Sequence, residues 1–226
     1  MSPPLVAAQG LGRRRNGGGW LLRDLTIRLA AGDRLALGGP SGAGKSLLLR
    51  SLALLDPIDS GTVLWRGREI PDTEVPAFRS QVLYLHQRPP LFPGSVADNL
   101  RRVLSLQVHR ERSFDRTWAT GRLERLGRDE SFLELRADRL YGGEAQIMAL
   151  LRAMQLEPAV LLLDEPTAGV DYEAAAAIES LVDDWFRRDE SQRALIWVSH
   201  DSLQLRRIGN RGLEIRHGEL VAQDTP

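Results

Sequence analysis

The chain has 226 residues, 30 lysines and arginines against 30 aspartates and glutamates, and no cysteine. That length suits one large domain, or one domain carrying an inserted subdomain. A net charge of zero offers no global field for nucleic acid or an acidic membrane surface, so no nucleic-acid partner is expected. The lack of cysteine excludes disulfides and thiolate metal sites. The start, MSPPLVAAQGLGRRR, has no basic segment followed by an apolar core, so no signal peptide is expected. The longest apolar stretches, such as LLLRSLALL, are short and broken by charge, so none is expected to span a bilayer. The chain reads as soluble, and a membrane role would need a partner.

Three short runs open the chain: PLVAAQGL, WLLRDLTIRL and DRLALGG. Turn signals at 16–19 and 31–33 separate them, and they read as strands. Arg13, Arg14 and Arg15 read as a solvated turn rather than a phosphate-binding patch. The third run leads into GPSGAGKS, residues 39–46, which fits the phosphate-loop pattern. Here Gly39, Pro40, Ser41, Gly42, Ala43 and Gly44 precede Lys45 and Ser46, and Leu47 enters an apolar helix. Glycines let backbone N–H groups face an anion with no Cβ in the way, and the helix N-terminus carries partial positive charge. Lys45 would reach the β- and γ-phosphates, and the Ser46 hydroxyl would ligate Mg²⁺. Lys45 is the only lysine in the chain. A compact ammonium suits this loop, where the planar fork of arginine would not fit.

Beyond the helix, SGTVLWRGREI reads as a hairpin around Gly67, and QVLYLHQ (81–87) as an alternating strand ending at Gln87. From 88 to 139 the pattern turns helical: SVADNLRRVLSLQ, FDRTWATGRLERLG and DESFLELRAD read as short amphipathic helices. Ser95 is placed to cap the first, with Asp98 in the capping-box position. GGEAQIMALLRAMQLEP reads as a helix ending before Pro158. AVLLLDE (159–165) is then a buried strand, which puts Asp164 and Glu165 at the carboxyl edge of a parallel sheet, where ligands bind in open α/β folds. Asp164 suits a metal contact, and Glu165 suits a general base for an attacking water. His200 follows a further strand, RALIWVS, at the same edge. His86, His109 and His217 have no such placement and read as surface or satisfied core residues.

The order GPSGAGKS, Gln87, LYGGE, LLLDEPTAGVD and VSHD resembles the ATP-binding subunit of ABC transporters over nearly the whole chain. The resemblance implies a P-loop NTPase of the α/β class. Its central sheet is mostly parallel, with an N-terminal antiparallel part and an inserted helical subdomain. A single domain over 1–226 is expected, with a nucleotide-binding core at 1–87 and 140–226 and the helical subdomain at 88–139. Carried over motif by motif, GPSGAGKS matches Walker A and VLLLDE matches Walker B. Gln87 matches the glutamine that joins Mg²⁺ coordination. Tyr141, Gly142, Gly143 and Glu144 of LYGGE (140–144) match the signature motif, Asp171 closes the D-loop, and His200 matches the switch histidine. ATP and Mg²⁺ are the implied ligands, with Glu165 and His200 as the catalytic pair. The family further implies a second copy of the chain, the two sandwiching ATP head to tail. It also implies an integral membrane permease, which would hold the protein on the cytoplasmic face of the inner membrane.

Two departures stand out. Tyr141 occupies the place of the usual signature serine, and Ile147 stands where arginine is common. No aromatic occupies the usual adenine-stacking place near Arg15 and Asn16; Trp20 is a candidate, though it reads better as a core strand residue. The segment RPPLFPGSVADNL resembles exporter subunits, and the compact chain as a whole is most similar in pattern to subunits assigned to iron export. A soluble ABC-type ATPase outside transport and a weakly hydrolysing regulatory subunit are the alternatives.

Overall fold

The computed structural model describes residues 3–222. The chain packs as two compact units: one from residues 1–84, 158–165 and 189–226, the other from 85–157 and 166–188.

In the first unit, β1 (Val6–Arg14) and β2 (Trp20–Leu29) pair antiparallel, and β3 (Arg34–Gly38) leads into the phosphate loop and helix α1 (Lys45–Leu52). Strands β4 (Ser60–Trp65) and β5 (Arg68–Glu69) form the expected hairpin, and β4 pairs antiparallel with β1. Helix α2 (Val75–Gln81), not foreseen in the sequence, then precedes β6 (Val82–Leu85). Pro76 fits at its first turn, where the missing N–H has no intrahelical partner anyway. The expected strand at 81–87 is thereby shortened at both ends.

The second unit is helical. It holds α3 (Val96–Leu104), α4 (Arg116–Arg125), α5 (Gly143–Met154) and α6 (Tyr172–Arg187). The Ser95 capping box is formed: Ser95 Oγ accepts from Asp98 N, and Asp98 Oδ2 accepts from Ser95 N at 2.9 Å. By packing, this unit is wider than 88–139, because α5 contacts both α3 and α6. The helix expected from DESFLELRAD is replaced by two 3₁₀ turns, Glu130–Glu134 and Ala137–Arg139. Leu135 between them is extended, and Arg136 bridges to Ser95, which interrupts the helical run.

Back in the first unit, β7 (Val160–Asp164), β8 (Ala194–Val198), α7 (Ser202–Ile208), β9 (Arg211–Arg216) and β10 (Glu219–Ala222) complete the chain. One sheet has the order β2-β1-β4-β5, the other β10-β9-β3-β8-β7-β6. In the six-stranded sheet β3 runs parallel to β8 and β9, and β7 parallel to β8. Strands β7 and β8 are buried along their whole length, which is why they read as unbroken apolar runs. Leu11, Leu25, Leu48, Leu49, Leu162 and Ile196 belong to one buried cluster of this unit. The arrangement is the α/β P-loop fold expected, with its antiparallel N-terminal part.

Arg13 and Arg14 lie within β1 and do not form a turn; Asp59 pairs with the Arg13 side chain at 3.1 Å and accepts from Arg14 N at 2.8 Å. Trp20 is not a core residue either. It opens β2, is 38% exposed, and carries the Arg14 guanidinium 4.8 Å over its ring. Among the described residues no helix is long and apolar enough to cross a membrane.

Candidate functional site

Strand order places the chemistry of the first unit. Strand β8 lies between β3 and β7, so the loop after β3 and the acids ending β7 flank its carboxyl end. The loop needs its glycines. Gly39 has φ 130°, and a Cβ there would meet the Ile215 carbonyl oxygen at 2.2 Å; Gly44 caps α1 with φ 110°, and a Cβ would meet Leu22 at 2.7 Å. In both places the left-handed backbone and the close packing exclude a side chain. The N–H groups of Gly44, Lys45, Ser46 and Leu47 belong to the first turn, which the helix itself leaves without acceptors. The Leu47 side chain packs against the core, so only its backbone can serve a phosphate.

Lys45 is buried, and its ammonium donates to the carbonyls of Gly39 at 2.8 Å and Pro40 at 2.9 Å. Burial lowers its pKa, and the negative charges of Glu165 and Asp164 work in the opposite direction. The loop carbonyls thus hold the ammonium in place, and the two carboxylates act on it through their charge.

At the end of β7, Asp164 is 4% exposed and accepts a 2.8 Å hydrogen bond from the Tyr84 hydroxyl. Burial, then the bond to Asp164 and its charge, push the Tyr84 pKa up, so the phenol stays a donor. Glu165 has φ 50°, a left-handed conformation that costs a non-glycine residue about 1–2 kcal/mol. Its N–H donates to the Val198 carbonyl at 3.2 Å, which ties the turn to β8. The turn directs the carboxylate toward the loop that follows β8. There His200 Nε2 lies 2.7 Å from Glu165 Oε1. The neighbours of His200 are held: Asp201 caps α7 and its N–H donates to Ser199 Oγ at 3.0 Å.

Ser46 and Asp164 offer hard oxygen donors, the kind Mg²⁺ takes. No cluster of three or more His, Cys, Asp or Glu side chains able to hold a metal occurs among the described residues. Mg²⁺ is commonly held through one or two protein oxygens with substrate phosphates and water, rather than in an all-protein cage.

The second unit carries the other candidate residues. Gln87 is exposed in a bend past β6, and its carbonyl accepts from Gln146 Nε2 of α5 at 2.5 Å. Gly142 caps α5 with φ 46° and Gly143 begins it, so the two glycines open a helix as expected. Glu144 Oε2 accepts from Tyr141 N at 3.5 Å, and Arg128 Nη1 lies 3.3 Å from Glu144 Oε1. The Tyr141 side chain is 78% exposed. Asp171 caps α6, accepting from Ala174 N at 2.7 Å, and Gly143 packs near Val170 and Ala174. The signature-like turn and the 168–171 turn are therefore neighbours. Of the remaining histidines, His86 and His217 are exposed and His109 is buried, as their positions suggested. Tyr84, Arg50 and Arg128 were not singled out in the sequence; only contacts across long separations mark them.

A family profile described as ABC transporter matches residues 22–168. The chain is 35% identical over 198 residues to the Probable iron export ATP-binding protein FetA of Escherichia coli, spanning 88% of this chain and 85% of that one. It is 33% identical over 210 residues to the Phosphate import ATP-binding protein PstB 1 of Vibrio cholerae, spanning 88% and 76%. Its fold matches the dimeric structure of MJ0796, a bacterial ABC transporter cassette, with a TM-score of 0.83 at 21% identity, over 97% of this chain and 98% of that one. With the phosphate loop and the acidic strand end in place, these likenesses make the chain a member of the ABC transporter family, an ATP-binding cassette with ATPase activity.

Proposed function

We propose that two copies of this cassette hydrolyse ATP head to tail and so drive a membrane permease, in the direction of export and with a metal such as iron as cargo. The observation that carries the hydrolytic part is the 2.7 Å contact between Glu165 and His200 at the sheet edge that also holds the phosphate loop. In this reading the N–H groups of 42–47 cradle the β- and γ-phosphates, with Gly39, Pro40 and Ser41 shaping the loop. Lys45 turns its ammonium from the Gly39 and Pro40 carbonyls onto the phosphates. Ser46 and Asp164 would hold Mg²⁺, which when bound offsets charge on the β- and γ-phosphate oxygens.

Glu165 accepts a proton from the attacking water as the new oxygen–phosphorus bond forms. The bond from the γ-phosphorus to the bridging oxygen breaks, and ADP leaves with the electron pair. His200 donates its Nε2 proton to Glu165 in the resting protein and to a γ-phosphate oxygen when ATP is present. The N–H groups of Gly142 and Gly143 from the second copy, with Tyr141 and Glu144 beside them, face the same phosphate, and Asp171 holds the adjoining turn. The dimeric form described for MJ0796 supports the pairing.

Export is supported by the segment 88–100 and by the iron-export name of the Escherichia coli relative. A second reading, import, draws on the phosphate-import relative of Vibrio cholerae. In either case the protein would work at the cytoplasmic face of the membrane through its permease. Tagged Glu165→Gln protein, drawn from native membranes with and without MgATP, is expected to bring down one polytopic membrane protein. The same permease, reconstituted with the parent protein in inverted vesicles, is expected to accumulate Fe²⁺ on addition of ATP. Recovery of soluble proteins or ribosomes alone would remove the transport reading, and ATP-driven loss of preloaded ion would favour import.

A further inference from the structure

Asp164 is held by a residue 80 positions away that belongs to neither nucleotide motif. Tyr84, on β6 beside β7, donates its hydroxyl proton to Asp164 Oδ2 at 2.8 Å. The charge of Arg50, on the helix that follows the phosphate loop, acts on the same hydroxyl. Arg50 is itself fixed, with Nε and Nη2 each 2.8 Å from Asp56 Oδ2. Tyr84, Asp164 and Arg50 all belong to the first unit.

We propose that Tyr84 is a positioning residue for the catalytic metal: its hydroxyl bond to Oδ2 orients the Asp164 carboxylate that meets Mg²⁺. The inference rests on the reading of Asp164 as a metal-holding residue. A carboxylate free to rotate presents its oxygens in many directions, and one hydrogen bond on Oδ2 fixes where Oδ1 points. Partners of this kind behind a metal-holding group typically change metal affinity by about 10–100-fold when removed. Tyr84 is half-buried and packs against the same core as α1, so its ring stays in place when only the oxygen is removed.

The test compares the full-length parent with Tyr84→Phe and Asp164→Asn. Binding of a fluorescent ATP analogue is measured in EDTA, and the Mn²⁺ half-saturation of the nucleotide-loaded protein is read by electron paramagnetic resonance. Thermal midpoints report folding. Tyr84→Phe is expected to raise the Mn²⁺ half-saturation about 10-fold or more and to leave metal-free nucleotide affinity within about twofold of the parent. The inference is overturned if Asp164→Asn weakens Mn²⁺ binding while Tyr84→Phe leaves it unchanged. It is also overturned if metal-free nucleotide affinity falls in step with metal affinity, since that is the mark of a packing role. An Asp164→Asn variant with unaltered Mn²⁺ binding would instead remove the underlying reading of Asp164.

Discussion

Glu165 Oε1 and His200 Nε2 stand 2.7 Å apart, one at the end of β7 and the other just past β8. The glutamate reaches this position from a left-handed backbone, φ 50°, and its N–H is tied to the Val198 carbonyl. Strain at such a place is held by the surrounding sheet and aims a side chain that relaxed geometry would point elsewhere.

Glu165→Gln keeps the shape of the side chain and removes its basicity. Turnover is expected to fall about 10²–10⁴-fold, the usual contribution of a positioned general base, while nucleotide affinity changes little. His200→Ala is expected to lower turnover in the same direction. Steady-state phosphate release, paired with binding of a fluorescent ATP analogue, separates the two quantities.

Tyr141 is 78% exposed, so replacing it should hardly affect the fold. Tyr141→Ser is expected to change unfolding free energy by no more than about 0.5 kcal/mol, as surface substitutions do. Its bulky phenol sits beside Gly142, where the second copy's phosphate would approach. Turnover is therefore expected to rise severalfold in the serine variant, with an unchanged thermal midpoint. Equal or lower turnover would show that the phenol does not restrict closure.

Arg128 braces the same turn through Glu144, 3.3 Å away. The pair lies at the surface with Glu144 half-buried, and surface pairs contribute about 0.2–1 kcal/mol. Arg128→Glu is expected to leave the urea midpoint nearly unchanged and to lower turnover at saturating ATP. Adding Glu144→Arg to it should restore part of the lost rate. A double variant no better than the single one would sever the pair from function.

His109 is buried, and burial followed by the charge of Arg112 lowers its pKa below the ordinary value. As pH falls through about 6.5, the unfolded chain protonates this histidine before the folded one does. Stability from this group is thus full above that pH and is lost on acidification until the lower folded-state pKa is passed. Denaturant titrations between pH 7.5 and 5 (about the range in which histidine titrates) should show a shallower acid decline for His109→Gln than for the parent.

The nucleotide loop was legible in the sequence because its physics is local. Gly39, Gly44, Lys45 and Ser46 lie within eight positions, and their spacing alone implies a cradle for phosphate. The acidic end of β7 was legible for a similar reason, since a strand buried on both faces is a continuous apolar run. The capping box at Ser95 was equally local. Where local pattern misled, a distant partner was responsible. The 3₁₀ turns after residue 129 replace a helix because Arg136 bridges to Ser95, and Arg13 and Arg14 stay in β1 with Asp59 as their anchor.

By itself, then, the sequence determined the fold class, the phosphate loop, and which strand ends in Asp164 and Glu165. Only the tertiary structure decided that Glu165 meets His200, that Gly39 lies against the Ile215 carbonyl, and that Tyr84 donates to Asp164. Those contacts join positions 35, 176 and 80 residues apart. They arise because the six-stranded sheet orders these strands β9-β3-β8-β7-β6 rather than as the chain runs. Local periodicity records which face of an element is buried, but the neighbour of each strand is chosen by crossover topology and packing.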